Sequence, residues 1–432
     1  MNLYKHQIDC LRQTENLNRV AYYLDMGLGK TFIGAEKMVQ LGKRVNLLVC
    51  QKSKINDWIR HFQDNYNIVP FDLTKPKRIE GFINWNKEQP KYINIPYCVG
   101  IINYELAWRR KELLKLADFT LMLDESSLIQ NRQAKQTKFI LKLNPANVIL
   151  LSGTPTAGRY ENLWTQIHLL GWEIKESTYN AQYVNWRKLQ IGWGPNAKIV
   201  PVVDKDEPYK NVERLKSKMR DHGAVFMKTE EVLNLPEQVF NIVEVEAGAM
   251  YKCFQRHSYV DMWDGTELIG DTELTKRLYS RQLCGQYSQA KLEAFRDLLE
   301  STNDRVIVFY NFNNELDALK GVCKALERPV SVVNGADKDL YSYEKESDSV
   351  TLVQYQAGAM GLNLQLANKI IYFTLPDGRQ DLFDQSKKRI HRIGQKKTCF
   401  YYILLCRNSV EEEILNTLNI RTELTDDLFK EG

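Results

Sequence analysis

Short runs of consecutive apolar residues recur along the chain, and most have the length of a single β-strand. Six of them are VNLLVC (45–50), TLMLDE (120–125), NVILLSG (147–153), DRVIVFY (304–310), SVTLVQ (349–354) and NKIIYFT (368–374). Runs without polar alternation are typical of strands in a parallel sheet that is covered on both faces. Helix-like stretches such as KTFIGAEKMVQLG and NNELDALKGVCKALE lie between them. The alternation of strand and helix predicts an α/β fold.

The distribution of these runs predicts more than one domain. Three of them lie before residue 155 and three after residue 300, whereas all eight tryptophans lie between positions 58 and 263. Residues 171–234 are rich in aromatic, Gly, Pro and polar residues, which is typical of an inserted segment. We therefore predict a first α/β domain over 1–170, an inserted lobe or connector over 171–234, and a second α/β domain over 235–432.

Composition excludes several classes of protein. The chain is 44% hydrophobic and 26% charged, which is typical of a globular protein. No apolar run approaches the ~18 residues of a membrane span, and the polar N-terminus lacks a signal-peptide core. The eight cysteines are scattered without a C-x-x-C pair, so we expect neither a disulfide framework nor a zinc site. We expect a soluble, intracellular protein in a bacterial or viral-host cytoplasm, and its charge of +5 permits a polyanionic partner.

The segment LDMGLGKT (24–31) has the functional end of a phosphate-binding loop. Gly27 and Gly29 can bring backbone N–H groups close to phosphate oxygens, while Lys30 can reach the β- and γ-phosphates and Thr31 can bind Mg²⁺. Leu24 stands where the strict loop pattern requires glycine. Taken alone, the segment therefore leaves an ordinary glycine turn open as an alternative.

A pair of carboxylates follows the apolar run TLML, at the point where the predicted strand ends. Asp124 and Glu125 would lie at the carboxyl edge of the sheet, where such folds hold Mg²⁺ and a hydrolytic water. We predict that Asp124 binds the metal and that Glu125 orients or deprotonates the water. Together with the phosphate loop, the pair predicts a site for ATP and Mg²⁺.

These segments and their neighbours resemble the superfamily-two helicases, and within them the Swi/Snf-type DNA-translocating ATPases. The resemblance covers nearly the whole chain, and the family tolerates a residue other than glycine at the position of Leu24. The matching segments, in the family's order, are LYKHQ (3–7), DMGLGKT, LLVCQKSKINDW (47–58), INYE (102–105), LDESSLIQN (123–131), LLSGTP (150–155), ENLW (161–164), FMKTEEVLNLPEQ (226–238), RQLCGQYSQAK (281–291), VIVFYNF (306–312), QAGAMGLNLQLAN (356–368) and QSKKRIHRIGQ (385–395).

The resemblance implies two RecA-like domains, an adenine contact at Gln7, and an arginine finger that acts on ATP from the second domain. Arg389 and Arg392 are three residues apart, so on a helix they would share one face. By the same resemblance we expect sequence-independent contacts to the DNA backbone, at positions spread over both domains: Lys52, Ser53, Asn103, Thr154, Asn311 and Gly358. For the four lysines of the basic run 385–397, a position near DNA and a position in solvent both stay open, and solvent is slightly favoured.

The chain departs from the family in one motif. Ser126 and Ser127 follow Asp124-Glu125, where the family has Ala-His and the histidine is thought to couple the nucleotide site to motif III. Hydrolysis should survive because the acid pair is intact. The chain also ends soon after its last motif and shows no chromatin-reading module, so we expect a compact enzyme.

The leading interpretation is an ATP-dependent translocase on duplex DNA, active in branch migration, fork remodelling or protein displacement. A strand-separating helicase on DNA or RNA is the first alternative, and residues 171–234 could contain a wedge hairpin. A nucleic-acid-binding ATP switch without translocation is the second. Trp172, Trp186 and Trp193 could stack on bases, although packing in a local core is the more ordinary role for tryptophan.

Overall fold

The computed structural model describes residues 3–87, 97–192, 197–263, 265–358 and 362–430 of the 432-residue chain. The chain forms two compact units. The first contains residues 1–232 and 424–432, and the second contains residues 233–423. None of the helices in the described ranges combines the length and the apolar character that a bilayer crossing requires.

The first unit is built on a seven-stranded sheet in which every neighbouring pair of strands is parallel, in the order β3-β4-β2-β5-β6-β1-β9. The central strands β2 and β6 are buried along their whole length. Full burial on both faces is why these strands have no polar alternation. Among its described residues, the strands of the unit are β1 (Arg19–Leu24), β2 (Val45–Cys50), β3 (Ile68–Asp72), β4 (Tyr97–Asn103), β5 (Thr120–Asp124), β6 (Asn147–Ser152), β7 (Trp186–Ile191), β8 (Lys198–Val203) and β9 (Ala224–Met227).

The helices of the first unit connect these strands and cover the sheet. They are α1 (Lys5–Gln13), α2 (Lys30–Gln40), α3 (Ile55–Asn65), α4 (Pro76–Lys87), α5 (Tyr104–Ala107), α6 (Lys135–Ile140), α7 (Trp164–Leu169), α8 (Glu176–Tyr183), α9 (Val212–Asp221) and α10 (Thr229–Val232). Short 3₁₀ helices cover Lys52–Lys54, Lys111–Lys115, Ser126–Ile129 and Tyr160–Asn162.

The second unit is built on a six-stranded sheet, also parallel throughout, in the order β10-β17-β16-β13-β15-β14. Its strands are β10 (Gln238–Glu246), β11 (Tyr259–Asp261), β12 (Glu267–Ile269), β13 (Val306–Tyr310), β14 (Val330–Val333), β15 (Val350–Gln354), β16 (Lys369–Tyr372) and β17 (Cys399–Arg407). Its helices are α11 (Ala249–His257), α12 (Glu273–Cys284), α13 (Gln289–Glu300), α14 (Asn313–Ala325), α15 (Tyr341–Lys345), α16 (Tyr355–Gly358), α17 (Gln380–Lys387) and α18 (Val410–Phe429), whose last turns belong to the first unit.

The predicted fold class is confirmed, because two parallel sheets flanked by helices form two RecA-like units. All six apolar runs are strands, namely β2, β5, β6, β13, β15 and β16. The segment 171–234 is more varied than its composition suggests, since it contributes β9 to the edge of the first sheet beside β1. That residues 171–234 act as a lobe of their own stays a prediction.

The end of the C-terminal helix completes the core of the first unit. Leu428 and Phe429 are buried in the hydrophobic cluster of that unit. The Tyr160 hydroxyl donates a hydrogen bond of 2.6 Å to the Leu424 carbonyl. Lys216, which is almost fully buried, forms an ion pair of 3.2 Å with Asp427. These residues are therefore part of the first unit although they end the chain.

A buried ion pair joins α13 to the first turn of α18 in the second unit. The Lys291 ammonium donates to both carboxylate oxygens of Glu411 at 2.6 Å, and neither side chain reaches solvent. Cys284 and Cys406 lie beside Glu411, with all three potential ligand atoms within 4.8 Å of one another. Because Lys291 already supplies a positive charge to the carboxylate, we interpret the group as a buried ion-pair cluster and not as a metal centre.

The Glu315 side chain is fully buried and binds backbone groups at the start of α14. One carboxylate oxygen accepts hydrogen bonds from the backbone N–H of Asn311 at 2.8 Å and of Phe312 at 3.0 Å, and from the Thr374 hydroxyl at 3.0 Å. Burial raises the pKa of Glu315 from 4.5 to about 7 despite these donors. The protonated form is therefore favoured in the folded protein below about pH 7.

This pKa shift predicts a pH-dependent stability. Between pH 4.5 and about 7 the folded protein keeps a proton that the unfolded chain releases, so the free energy of unfolding falls as the pH rises. The expected loss is on the order of 3 kcal/mol. Glu315→Gln should remove it because the amide oxygen can accept the same bonds, as denaturant unfolding at pH 5 and pH 8 would show. Asp317→Asn, at an exposed site of the same helix, is the control, and an unchanged pH dependence in Glu315→Gln would contradict the assignment.

Candidate functional site

The phosphate loop lies between the end of β1 and the start of α2, in a conformation that requires glycine. Gly27 and Gly29 have φ angles of +91° and +75°, which side chains rarely tolerate. A Cβ at Gly29 would also collide with the side-chain amide of Gln7. Since α2 begins at Lys30, the N-terminal end of the helix lies at the loop, as in sites that bind phosphate.

Lys30 points back into this loop. Its ammonium donates hydrogen bonds to the carbonyl oxygens of Leu24 at 2.7 Å and Asp25 at 3.2 Å. A Cβ added to Gly153, in the loop after β6, would lie 3.4 Å from the same nitrogen. The loop after β6 therefore approaches Lys30 closely, and glycine leaves room for its ammonium.

The Gln7 side chain attaches the first helix to the phosphate loop. Its amide nitrogen donates to the Leu28 carbonyl at 3.3 Å, and its oxygen accepts from the Tyr4 N–H at 2.9 Å. The nearby His6 ring nitrogen lies 3.1 Å from the same Leu28 carbonyl. The segment that resembles the adenine-recognition motif is thus in direct contact with the loop. An adenine contact by Gln7 stays a prediction.

The acid pair lies at the end of β5, as predicted. Burial raises the pKa of Asp124 above its ordinary value, while a hydrogen bond from Trp58 and the charges of Lys30 and Lys54 oppose that rise. The Trp58 indole N–H donates to the Asp124 carboxylate at 2.8 Å. Glu125 has φ +55° and ψ +59°, a left-handed conformation that is strained for this residue and is common at functional sites.

Trp58 has a positioning role that the sequence did not reveal. The resemblance included Trp58 as the end of motif Ia but gave it no function. Trp58 is buried on α3, far from Asp124 along the chain, and its indole has only one donor to offer. That donor holds one oxygen of the carboxylate, and the backbone N–H of Glu125 is a second donor to the same group.

A buried glutamine connects motif II to motif III. The oxygen of Gln166 accepts from the Ser126 hydroxyl at 2.7 Å and from the Tyr23 hydroxyl at 3.0 Å. Its nitrogen donates to the Pro155 carbonyl at 2.8 Å. Gln130 donates a second bond to that carbonyl at 3.0 Å. Ser126, and not Ser127, therefore forms the described connection where the family has Ala-His.

The predicted DNA contacts of the first unit fall into two groups. Lys52 and Ser53 are exposed on the 3₁₀ helix that follows β2. Asn103 and Thr154 are buried, and the Asn103 amide donates to Glu105 at 2.6 Å. Thr154 lies in the loop after β6, beside the candidate nucleotide site. All four remain predictions, and Lys52 and Ser53 are the two whose exposure suits a DNA contact.

The candidate arginine fingers lie in turns. Because α17 ends at Lys387, the expectation that Arg389 and Arg392 share one helix face is wrong. The Arg389 N–H donates a hydrogen bond of 3.1 Å to the Ser386 carbonyl, three residues earlier, so the chain forms a turn there instead of another helical turn. Buried Arg389 donates to the Leu362 carbonyl at 3.5 Å, and Arg392 donates to the Asn363 side chain. Both arginines are thus held by the segment that resembles motif V.

Two other predicted DNA contacts, Asn311 and Gly358, lie in the second unit. The Asn311 amide donates to the Thr374 hydroxyl at 2.9 Å and to the Leu375 carbonyl at 3.0 Å. Asn311 lines a cavity of about 200 Å³ together with Arg281 and Arg379. Gly358 is the last residue of α16. DNA contacts by Asn311 and Gly358 stay predictions.

Comparison with known families agrees with this geometry. Residues 23–295 match the family described as SNF2-related domain, and residues 290–394 match the helicase conserved C-terminal domain. The chain belongs to the SNF2-related family. The predicted Swi/Snf-type membership and the enzyme class, an ATP hydrolase, are thereby confirmed. ATP use follows from that class.

Individual relatives are distant and longer than this chain. The ATPase of an ISWI chromatin-remodeling complex from Saccharomyces cerevisiae is 24% identical over 92% of the chain and 38% of its own length. A SWI/SNF-related matrix-associated actin-dependent regulator of chromatin, the subfamily A-like protein 1 of Drosophila melanogaster, is 24% identical over 93% of the chain and 52% of its own length. The chain therefore spans about half or less of these relatives.

Among solved structures, a Sulfolobus solfataricus SWI2/SNF2 ATPase core in complex with dsDNA is similar to this chain. The alignment covers 99% of this chain and 93% of that core. The TM-score is 0.43 at 18% identity, which is too low to support further conclusions.

The Gln166 connection predicts a coupled loss of activity and stability. Gln166→Leu should lower the free energy of unfolding by about 1–3 kcal/mol, because buried hydroxyl and carbonyl groups lose their partner. It should also lower kcat for ATP hydrolysis. Gln166→Glu is the matched variant, since it keeps the acceptor for Ser126 and removes the donor to Pro155. If Gln166→Leu is destabilised while both variants keep the parental kcat, the connection is structural only.

Proposed function

We propose that the protein is an ATP-driven translocase that moves on duplex DNA. One observation supports the proposal: the loops after three adjacent strands meet at one edge of the sheet and bring Lys30, Asp124 and Gly153 together. The chain that forms this site belongs to the SNF2-related family. The chromatin-related names of the relatives support DNA as the partner. Branch migration, fork remodelling and displacement of bound proteins are the tasks that such movement can perform.

The donors at this edge suit a bound Mg²⁺. Asp124 supplies a carboxylate oxygen and Thr31 a hydroxyl, which are the ligand types that this ion prefers. A nearby cation would also offset the burial that raises the pKa of Asp124. When bound, the ion would neutralise charge on the phosphates. We therefore propose Thr31 and Asp124 as its protein ligands.

The remaining residues have separate roles in hydrolysis. Lys30 and the glycine loop bind the phosphates, and Glu125 orients the attacking water and accepts its proton. We propose that Arg389 and Arg392 supply positive charge to the γ-phosphoryl group during the reaction, a contribution worth ~10³–10⁵ in rate. Cyclic closure and release around ATP would then advance the protein along DNA. Lys52 and Ser53 would bind the phosphate backbone, in a contact that salt weakens.

Two substitutions separate nucleotide binding from hydrolysis. Lys30→Ala should weaken ATP binding and reduce turnover by ~10²-fold or more, because the phosphates lose their direct cation. Glu125→Gln should keep ATP affinity while turnover falls by ~10²–10⁴, because the amide cannot accept a proton. Binding of a fluorescent ATP analogue and steady-state phosphate release measure the two effects. Normal turnover in Glu125→Gln would show that the base is misassigned.

The nucleic-acid substrate requires its own experiment. ATP turnover is measured with duplex DNA, single-stranded DNA, RNA and no nucleic acid, and displacement of a triplex-forming strand is measured on the duplex. We expect the greatest stimulation by duplex DNA, and triplex displacement only with hydrolysable ATP. Stimulation of ATP turnover by RNA alone would overturn the proposal. Stimulation by DNA without triplex displacement would instead support a nucleic-acid-binding ATP switch that does not translocate.

A further inference from the structure

Strands β7 and β8 form a two-stranded antiparallel ribbon that is separate from the main sheet. The paired residues run from Trp186–Val203 at the base to Ile191–Lys198 at the outer end. Six residue pairs give the ribbon a length of about 20 Å. Every residue of β7 is exposed, and no residue of β8 is buried. Both faces of the ribbon are thus accessible to a partner.

The base of the ribbon is fixed to the core of the first unit. Val184 pairs with Tyr209, and the Asn185 N–H bonds the Pro208 carbonyl at 2.9 Å. The Tyr209 ring stacks on buried Tyr160 at a centroid distance of 4.5 Å, and its hydroxyl donates to Glu161 at 2.6 Å. The outer part of the ribbon is therefore presented from a rigid support.

The ribbon exposes apolar side chains that an isolated protein would be expected to bury. Leu189, Ile191 and Ile199 are 42%, 55% and 65% exposed, and Trp186 is 44% exposed. A two-stranded ribbon without a covered face is only marginally stable in water. A partner that covers the ribbon would remove this exposed apolar surface.

The charge on the ribbon has one sign. Arg187, Lys188 and Lys198 are the only charged residues between positions 177 and 203. Because the chain has 54 acidic residues in 432, one in eight on average, the absence of any acid over 27 positions is a marked local bias. Successive residues point to opposite faces, so Lys188 shares a face with Trp186 while Arg187 lies on the other. Both faces therefore carry cations.

Acidic residues begin where the ribbon joins the body. The Asp204 carboxylate accepts the backbone N–H of Asp206 at 2.9 Å and of Glu207 at 3.1 Å, and these bonds lower its pKa. With Lys205 included, residues 204–207 carry a net charge of −2, whereas the charged residues of the outer strands are all positive. A polyanion would be attracted to the outer strands and repelled from the base.

We propose that this ribbon is a second nucleic-acid-binding element, which holds duplex DNA through its phosphate backbone. The inference rests on the proposed function and adds a contact that lies outside the helicase motifs. A two-stranded ribbon fits the major groove of B-DNA, and cations on both faces can pair with phosphates beside the groove. The exposed Leu189 and Ile191 share one face of the ribbon and would then contact sugar and base edges without reading a sequence.

The salt dependence of binding tests this contact directly. Lys188→Ala/Lys198→Ala should bind a labelled 30-bp duplex more weakly, and the slope of log Kd against log salt should decrease by about 2, since two phosphate contacts are lost. Lys320→Ala/Lys324→Ala is the control, because both lysines are exposed on α14 and the net charge changes equally. The control should keep the parental slope.

A second variant protects the test against misfolding. Replacing residues 187–202 by two glycines keeps Val184, Asn185 and Tyr209 at the base, so turnover without DNA should remain parental while duplex affinity falls. If both ribbon variants bind DNA with the parental slope, the ribbon inference is overturned and a protein partner becomes the better explanation of this surface. If the parent protein neither binds duplex DNA nor responds to it, the proposed function fails as well.

Discussion

The candidate ATP site depends on one constraint, the parallel order of β5, β6 and β1 in the first sheet. Parallel neighbours end at the same edge, so the loops that follow them meet there whatever their separation in sequence. That edge receives the acid pair after β5, Gly153 after β6 and the phosphate loop after β1. At this edge the Lys30 ammonium donates hydrogen bonds to the Leu24 and Asp25 carbonyls, and its charge also acts on the Asp124 carboxylate.

Residues outside the loops hold this edge in place. Gln7 on α1 bonds the phosphate loop, Trp58 on α3 bonds Asp124, and Gln166 on α7 connects Ser126 to Pro155. Each is largely buried, and a buried polar group left without a partner costs about 1–3 kcal/mol. The same bonds that stabilise the unit therefore also fix the geometry of the candidate site. At the same edge Glu125 adopts a left-handed conformation, which is strained for this residue.

The basic segments of the chain differ in what their charges contact. In the run 385–397, Lys387 pairs with Asp384 at 2.7 Å, Arg389 is buried, and Gln395 donates to the Ala367 carbonyl at 2.9 Å. That run is built into the second unit, and only part of its charge faces solvent. The β7–β8 ribbon has fewer cations, but all three are exposed. Exposure and the absence of acids, more than the number of lysines, make the ribbon the better candidate for a polyanion.

The sequence by itself determined the α/β class, the six buried strands, the start of a helix at Lys30 and the end of a strand at the acid pair, because these depend on local hydrophobicity and on ordered motifs. It missed edge strands such as β9, and it missed the roles of Trp58 and Gln166, because their partners are distant in sequence. It was wrong about a shared helix face for Arg389 and Arg392, since α17 ends at Lys387. Only the tertiary structure decided these points, because hydrogen bonds between separate elements hold those side chains.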